Sequence, residues 1–283
     1  MRQSNRKNGA CALGVKDEDR PQRDNVNEAA MRIFALSDIH IDYEVNARWV
    51  ANVSAADYRD DVLILAGDVT DTLRHLEWCL RTLAARFRKV LFVPGNHDLW
   101  VVREGRGKSS LQKFNEILEV TEQSGASMQV FHHRDVSIVP LLGWYDYSFG
   151  EPRAELRAQW MDYHACRWPD GFREWEITAY FTGMNVDRSE GLLKKVITFS
   201  HFLPRIDLMP AFIPRERRFM YPVLGTTRLE QQLRMLNASI HVYGHSHVNR
   251  RTSIEGVSYI NNAFGYPSET WISSKQFSCI HEC

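Results

Sequence analysis

Five short runs of aliphatic and β-branched residues each stop abruptly at aspartate, glycine, asparagine or histidine, and this pattern limits the fold more than any other feature of the chain. Residues 31–36 lead into Ser37-Asp38-Ile39-His40, residues 62–66 into Gly67-Asp68-Val69-Thr70-Asp71, and residues 90–93 into Pro94-Gly95-Asn96-His97-Asp98. Residues 196–199 lead into Ser200-His201, and residues 240–243 into Gly244-His245-Ser246-His247. Continuous apolar runs suit strands buried on both faces, as in sheets covered by helices. Polar residues beyond the C-terminal ends of such strands are where open α/β sheets hold their ligands.

Between these runs the apolar residues change to helical spacing. Leu73, Leu76, Leu80, Leu83 and Phe87 recur at three or four residues, as do Leu111, Phe114, Ile117 and Leu118, and Leu229, Leu233 and Leu236. Thr72 stands where a side chain can cap the first of these helices. Further on, residues 251–254, the pair Glu255-Gly256 and residues 257–261 read as a β-hairpin, so antiparallel pairing joins an otherwise parallel α/β arrangement. Residues 1–30 are polar and charged, without the apolar core of a signal peptide, and are expected to form a disordered leader before a domain over residues 31–283. No stretch approaches the roughly 20 apolar residues that span a bilayer. The five cysteines are scattered, with no Cys-x-x-Cys pair, which points to a reducing, cytoplasmic setting.

The residues that end the runs are chemically of one kind. Asp38 and His40 are two apart, so on an extended strand end both would face the same side and grip one cation. Asp68 follows Gly67, where a glycine lets the backbone turn tightly, and its two oxygens can bridge two ions. Asn96 offers a neutral amide oxygen, His97 beside it an acid or base, and His201, His245 and His247 supply ring nitrogens. Carboxylate, amide and imidazole without thiolate suit Mn²⁺, Fe or Zn²⁺ better than structural zinc or calcium. The donors are enough for two cations.

The ordered set Asp38-x-His40, Gly67-Asp68-x-x-Asp71, Gly95-Asn96-His97-Asp98, His201 and Gly244-His245-Ser246-His247 resembles the five-block pattern of the calcineurin-like metallophosphoesterases. That resemblance implies an α/β fold, a four-layer αββα sandwich of two mixed sheets, with a dinuclear centre at the strand ends. It implies that Asp38, His40 and His247 hold one metal ion, that Asn96, His201 and His245 hold the other, and that Asp68 bridges them. His97 would face the substrate from outside the ligand set, Asp98 would hold its orientation, and Asp71 would lie behind the bridging carboxylate. The implied chemistry is hydrolysis of a phosphoester by a hydroxide bridging two divalent ions (Mn, Fe or Zn), with no covalent nucleophile.

Eleven aromatic residues between Trp144 and Phe181 fall in the interval where this family carries a variable cap. A cap over about residues 144–190 is therefore expected, packing on the sheets rather than stacking a nucleobase. Tyr147 within it and Arg205 after the His201 block are the candidate substrate contacts, with Arg215, Arg217 and Arg218 nearby. The protein Ser/Thr phosphatases of the family carry Asp-Arg-Gly after the bridging-Asp block and Glu after Asn-His. Here Asp71-Thr72-Leu73 and Asp98 stand instead, so a phosphodiester is expected ahead of a monoester, on a small nucleotide-like or lipid-derived molecule. A phosphomonoesterase acting on a small molecule or protein, and a metal-binding scaffold without turnover, are the alternatives. With 35 Lys and Arg against 35 Asp and Glu, no net charge is available to draw the chain to long nucleic acids or anionic membranes.

Overall fold

A computed structural model describes residues 30–104, 107–185 and 190–283. The expected leader lies outside these residues apart from its last position. Where the sequence runs are wholly apolar, strands form with both faces covered. β1 (Arg32–Leu36), β2 (Val62–Ala66) and β3 (Lys89–Val93) lie side by side and parallel. β4 (Ala126–Ser127) continues the sheet in parallel beyond β3, and β11 (Ser278–Glu282) closes its other edge antiparallel to β1.

Helices α1 (Glu44–Ala51), α2 (Leu73–Ala84) and α3 (Ser110–Gln123) accompany this sheet. The expected stripe of α2 is buried at Leu76, Leu80 and Leu83, with Cys79 among them as a small core residue. Each fully buried leucine contributes about 1.5–3 kcal/mol by leaving water. Thr72 corrects one expectation. It occupies the N-cap position, but its side chain makes no cap bond and its hydroxyl is buried without a partner. α3 carries the full cap instead: Ser109 Oγ accepts from Gln112 N, and Gln112 Oε1 accepts from Ser109 N.

The second sheet runs in the order β5 (Phe131–His133), β6 (Val136–Pro140), β7 (Lys195–Phe199), β8 (Ile240–Tyr243), β10 (Val257–Asn261) and β9 (Arg250–Ile254). β5 and β9 pair antiparallel at the two edges, and the four inner strands are parallel. β9 and β10 are the hairpin expected from the Glu255-Gly256 turn. His241, buried in β8, satisfies its ring on Thr198 and Ser200. The aromatic-rich stretch forms α4 (Ala154–Gln159), α5 (Asp162–Ala165) and α6 (Glu174–Gly183), and Gln232 of α7 (Thr227–Met235) donates to Thr182 of α6.

The two mixed sheets meet where their parallel strands end. Ser37, just past β1, donates its N–H to Asn262 O beyond β10, and the His201 ring after β7 reaches Ala66 O at the end of β2. Gly244, after β8, is seated so close that an added Cβ would lie 2.7 Å from the same Ala66 O. The loops carrying the polar clusters are thereby forced into one place.

Candidate metal centre

The backbone at this junction is unusual. Asp38 (φ 52°), His40 (φ 45°), Asp68 (φ 55°), His245 (φ 65°) and His247 (φ 54°) all adopt left-handed conformations, a region rarely occupied by residues other than glycine. The alternation of an extended strand, on which the sequence reading paired Asp38 with His40 and His245 with His247, is therefore not how these side chains converge. Each turns back individually, at an expected cost of about 1–3 kcal/mol per residue. Gly67 (φ 82°) and Gly95 leave room for this. A Cβ on Gly67 would lie 2.5 Å from the His201 ring, and one on Gly95 would collide with the Asp68 carboxylate and lie 2.7 Å from His201 Cε1. Gly95→Ala is expected to yield a folded protein that cannot seat Asp68 and His201 together. Metal analysis after dialysis should show most of its bound divalent ion gone, and wild-type content would contradict the steric reading.

The seven candidate ligands come together in two groups. Donor atoms of Asp38, His40, Asp68 and His247 lie within 4.8 Å of one another, as do those of Asp68, His201 and His245, so Asp68 is common to both. In the first group His247 Nε2 is 3.1 Å from His40 Nε2 and 3.3 Å from Asp38 Oδ1. In the second, His201 Nε2 is 3.0 Å from His245 Nδ1, 3.1 Å from Asn96 Oδ1 and 3.5 Å from Asp68 Oδ1.

This donor set fits divalent cations. His201 donates from Nδ1 to Ala66 O at 2.9 Å, and His245 from Nε2 to Val223 O at 3.1 Å. Those outer bonds hold each ring's proton on the outward nitrogen, so the inward nitrogens face each other as lone pairs. Asn96 likewise points its oxygen inward, because its Nδ2 donates outward to Asp162 Oδ1 at 2.9 Å. With protein groups alone, burial disfavours charge on His247. Asp38 and Glu269, the latter 2.6 Å from Nδ1, outweigh this and push it up to about 10. Burial, together with the neighbouring Asp38 and Asp98 charges, drives the Asp68 carboxyl well above the usual range. Without a metal, the proton on His247 is the positive charge that these carboxylates gather around, the place a cation would take.

Other sequence expectations are redirected. Asp98 does not hold His97. Its carboxylate accepts from the backbone N–H groups of Gly95, Asp68, Val69 and Thr70, at 2.8 to 3.1 Å, and so ties the loop after β3 to the loop after β2. His97 is instead stacked on Trp100, with ring centroids 3.7 Å apart, and its Nε2 lies 3.9 Å from Asp68 Oδ2 and 3.5 Å from the Tyr266 hydroxyl. Burial and the charge of His247 push His97 down to about 3. Asp71 faces Arg103 at 3.2 Å, and its carbonyl accepts from the buried Lys113.

The family model described as calcineurin-like phosphoesterase matches residues 31–249. The chain belongs to this family. As a calcineurin-like phosphoesterase it resembles the [acyl-carrier-protein] phosphodiesterase PptH of Mycobacterium tuberculosis, with 29% identity over 273 residues that cover 88% of this chain and 82% of that protein. The crystal structure of the phosphopantetheinyl hydrolase PptH from the same organism superposes with a TM-score of 0.70 at 24% identity, covering 86% of this chain and 94% of that one. The shared fold is the two-sheet sandwich expected from the sequence.

In this calcineurin-like phosphoesterase a cavity of about 480 Å³ opens directly on Asp68, Asn96, His97, His245 and His247. Much of its lining is apolar, with Trp160, Met209, Ile213, Met220 and Ile272, and Arg217 is the one arginine or lysine among its described lining residues. A side chamber of about 320 Å³ continues past Trp100 and Leu156. Neither expected substrate contact reaches these spaces. Arg205 pairs with Asp207 and Glu230 under the Tyr259 ring, and the Tyr147 hydroxyl is bonded to that of Tyr163. Sequence reasoning missed Trp100, Asp162, Tyr266 and Glu269, whose proximity to the centre arises only from the fold. Trp160, in the aromatic stretch expected mainly to pack on the sheets, walls the cavity and meets the His245 ring edge-on at 5.8 Å.

Proposed function

We propose that this chain hydrolyses a phosphodiester at a centre of two divalent ions, with Asp38, His40 and His247 holding one, Asn96, His201 and His245 the other, and Asp68 shared. The observation that carries this reading is the pair of donor groups joined through Asp68. Mn²⁺, Fe or Zn²⁺ suit the donors. Such ions would supply positive charge for the phosphoryl oxygens and acidify water beside the reacting phosphorus.

The remaining work falls to the chain's own residues. His97 borders the cavity and is neutral in the free site, so its charged form needs the negative phosphoryl group beside it. It would then pass a proton to the leaving oxygen. The apolar wall around Trp160 and Met220 would hold the organic arm of the ester and keep bulk water away.

Among diesters, the reading best supported is the one joining a phosphopantetheinyl arm to acyl carrier protein. The named activity of the relative supports it, as do the cavity of about 480 Å³ beside the metal centre and its side chamber of about 320 Å³. The departures from the protein phosphatase pattern at Asp71-Thr72-Leu73 and Asp98 agree with a diester. The unpaired state of the described cysteines Cys79, Cys166, Cys279 and Cys283 suits a cytoplasmic setting. Among the described residues no helix is long and apolar enough to cross a membrane.

The test is purified protein with added Mn²⁺, assayed in parallel on an aryl phosphate diester, the matching monoester and phosphopantetheinylated acyl carrier protein, the last followed by mass spectrometry. We expect turnover of the diester ahead of the monoester and loss of the arm from the carrier protein. Preference for the monoester would overturn the diester reading. An unchanged carrier protein alongside active diester hydrolysis would overturn only the substrate.

A further inference from the structure

The aromatic-rich segment reaches the metal centre through one carboxylate. Asp162, at the start of α5, is 3% exposed and makes no ion pair with a lysine or arginine among the described residues. Its Oδ1 accepts from Asn96 Nδ2 at 2.9 Å and from Trp100 Nε1 at 2.7 Å, and its Oδ2 accepts from Trp160 Nε1 at 2.7 Å. Tyr145, fully buried in the same segment, adds a further hydrogen bond to it. All three of these partners matter to the site. Asn96 is a candidate ligand, Trp100 is the ring on which His97 stacks, and Trp160 walls the cavity.

The chemistry of these partners makes the carboxylate hard to replace. An indole N–H can only donate, and an ionised carboxylate can only accept. The two ends of an asparagine amide have almost the same shape, yet only the oxygen can ligate a cation. An acceptor placed against Nδ2 therefore decides which end faces inward. The placement is itself secured by backbone bonds between the two segments: Val101 N donates to Ala165 O at 2.8 Å, and Ser110 N to Arg167 O at 2.8 Å.

We propose that Asp162 is the positioning residue that turns the Asn96 oxygen toward the metal centre while fixing the ring beneath His97 and the cavity wall. This rests on the two-ion reading above. Through it, the variable cap sets the affinity of one ion and the shape of the substrate cavity together.

Calorimetric titration with Mn²⁺ tests this on the full chain. Wild-type protein is expected to bind two ions. Asp162→Leu keeps the branched shape but offers no acceptor, so one ion should weaken by about 10- to 100-fold, the usual effect of losing a group that orients a ligand. The other ion should keep its affinity. A folded Leu variant that binds both ions as wild type, or loses both equally, would overturn the proposal. Should that variant fail to fold, Asp162→Asn decides. Its single oxygen cannot serve both edges, so either Trp160 is released, raising KM at constant kcat and shifting indole emission, or one ion weakens. Wild-type emission, KM and ion affinities in Asp162→Asn would overturn the proposal as well. A wild-type protein that binds no second ion would instead remove the two-ion reading on which it stands.

Discussion

Asp68→Asn is expected to leave a folded protein whose phosphoesterase activity is lower by about 10³-fold and whose affinity for both ions falls at once. Asp68 is the one carboxylate common to both donor groups. It is also buried, where burial first and then the Asp38 and Asp98 charges disfavour its ionised form, so a neutral amide should not destabilise the chain without metal. The amide keeps the shape and one oxygen but removes the charge that two cations share, and losses of this order follow when a preorganised charge at a reacting centre is removed. His40→Ala makes the contrast, since His40 belongs to one group only and should weaken chiefly one ion. Metal content after dialysis, measured beside kcat, separates the two. Full occupancy by two ions in Asp68→Asn would remove Asp68 from the bridging position.

The second large effect concerns His97. His97→Ala should slow a diester with an alkyl leaving group by about 10²- to 10⁴-fold, the usual worth of a positioned proton donor. A nitrophenyl diester, whose phenolate departs unaided, should lose much less. The geometry supports this asymmetry: His97 faces the cavity, close to Asp68 but outside both donor groups, held by Trp100 beneath and Tyr266 beside it. Equal losses on both esters would assign His97 to binding the phosphoryl group instead.

Much of this architecture was legible in the sequence because strands buried on both faces leave an uninterrupted apolar record. β2 and β8 have the expected bounds, β3 and β7 begin one residue earlier, and the hairpin follows its Glu255-Gly256 turn. β6 and β11 escaped because residues such as Ser137 and His281 interrupt their apolar pattern, and β11 takes its place only by pairing with β1 across the whole length of the chain. The candidate ligands were legible as types in an order. Their conformation was not, because left-handed backbone at Asp38 or His245 is imposed by the junction of the sheets rather than by local propensity. Asp98 was misassigned because proximity in sequence to His97 says nothing of three backbone N–H groups arriving from the loop after β2. Arg205 and Asp162 make the same point in opposite directions: a basic residue near a motif was absorbed by Asp207 and Glu230, while an unremarked aspartate within the aromatic stretch became the anchor of Asn96.

The left-handed conformations carry a practical consequence for anyone altering this centre. Aspartate, asparagine and histidine are the side chains that best tolerate such torsions after glycine, so the coordination chemistry and the main-chain shape select from the same short menu. A valine or isoleucine at position 38 or 68 would be refused twice, once for lacking a donor and once for crowding its own peptide group. Asparagine is therefore the cleaner probe at both aspartates, since it tests the charge without reshaping the loop.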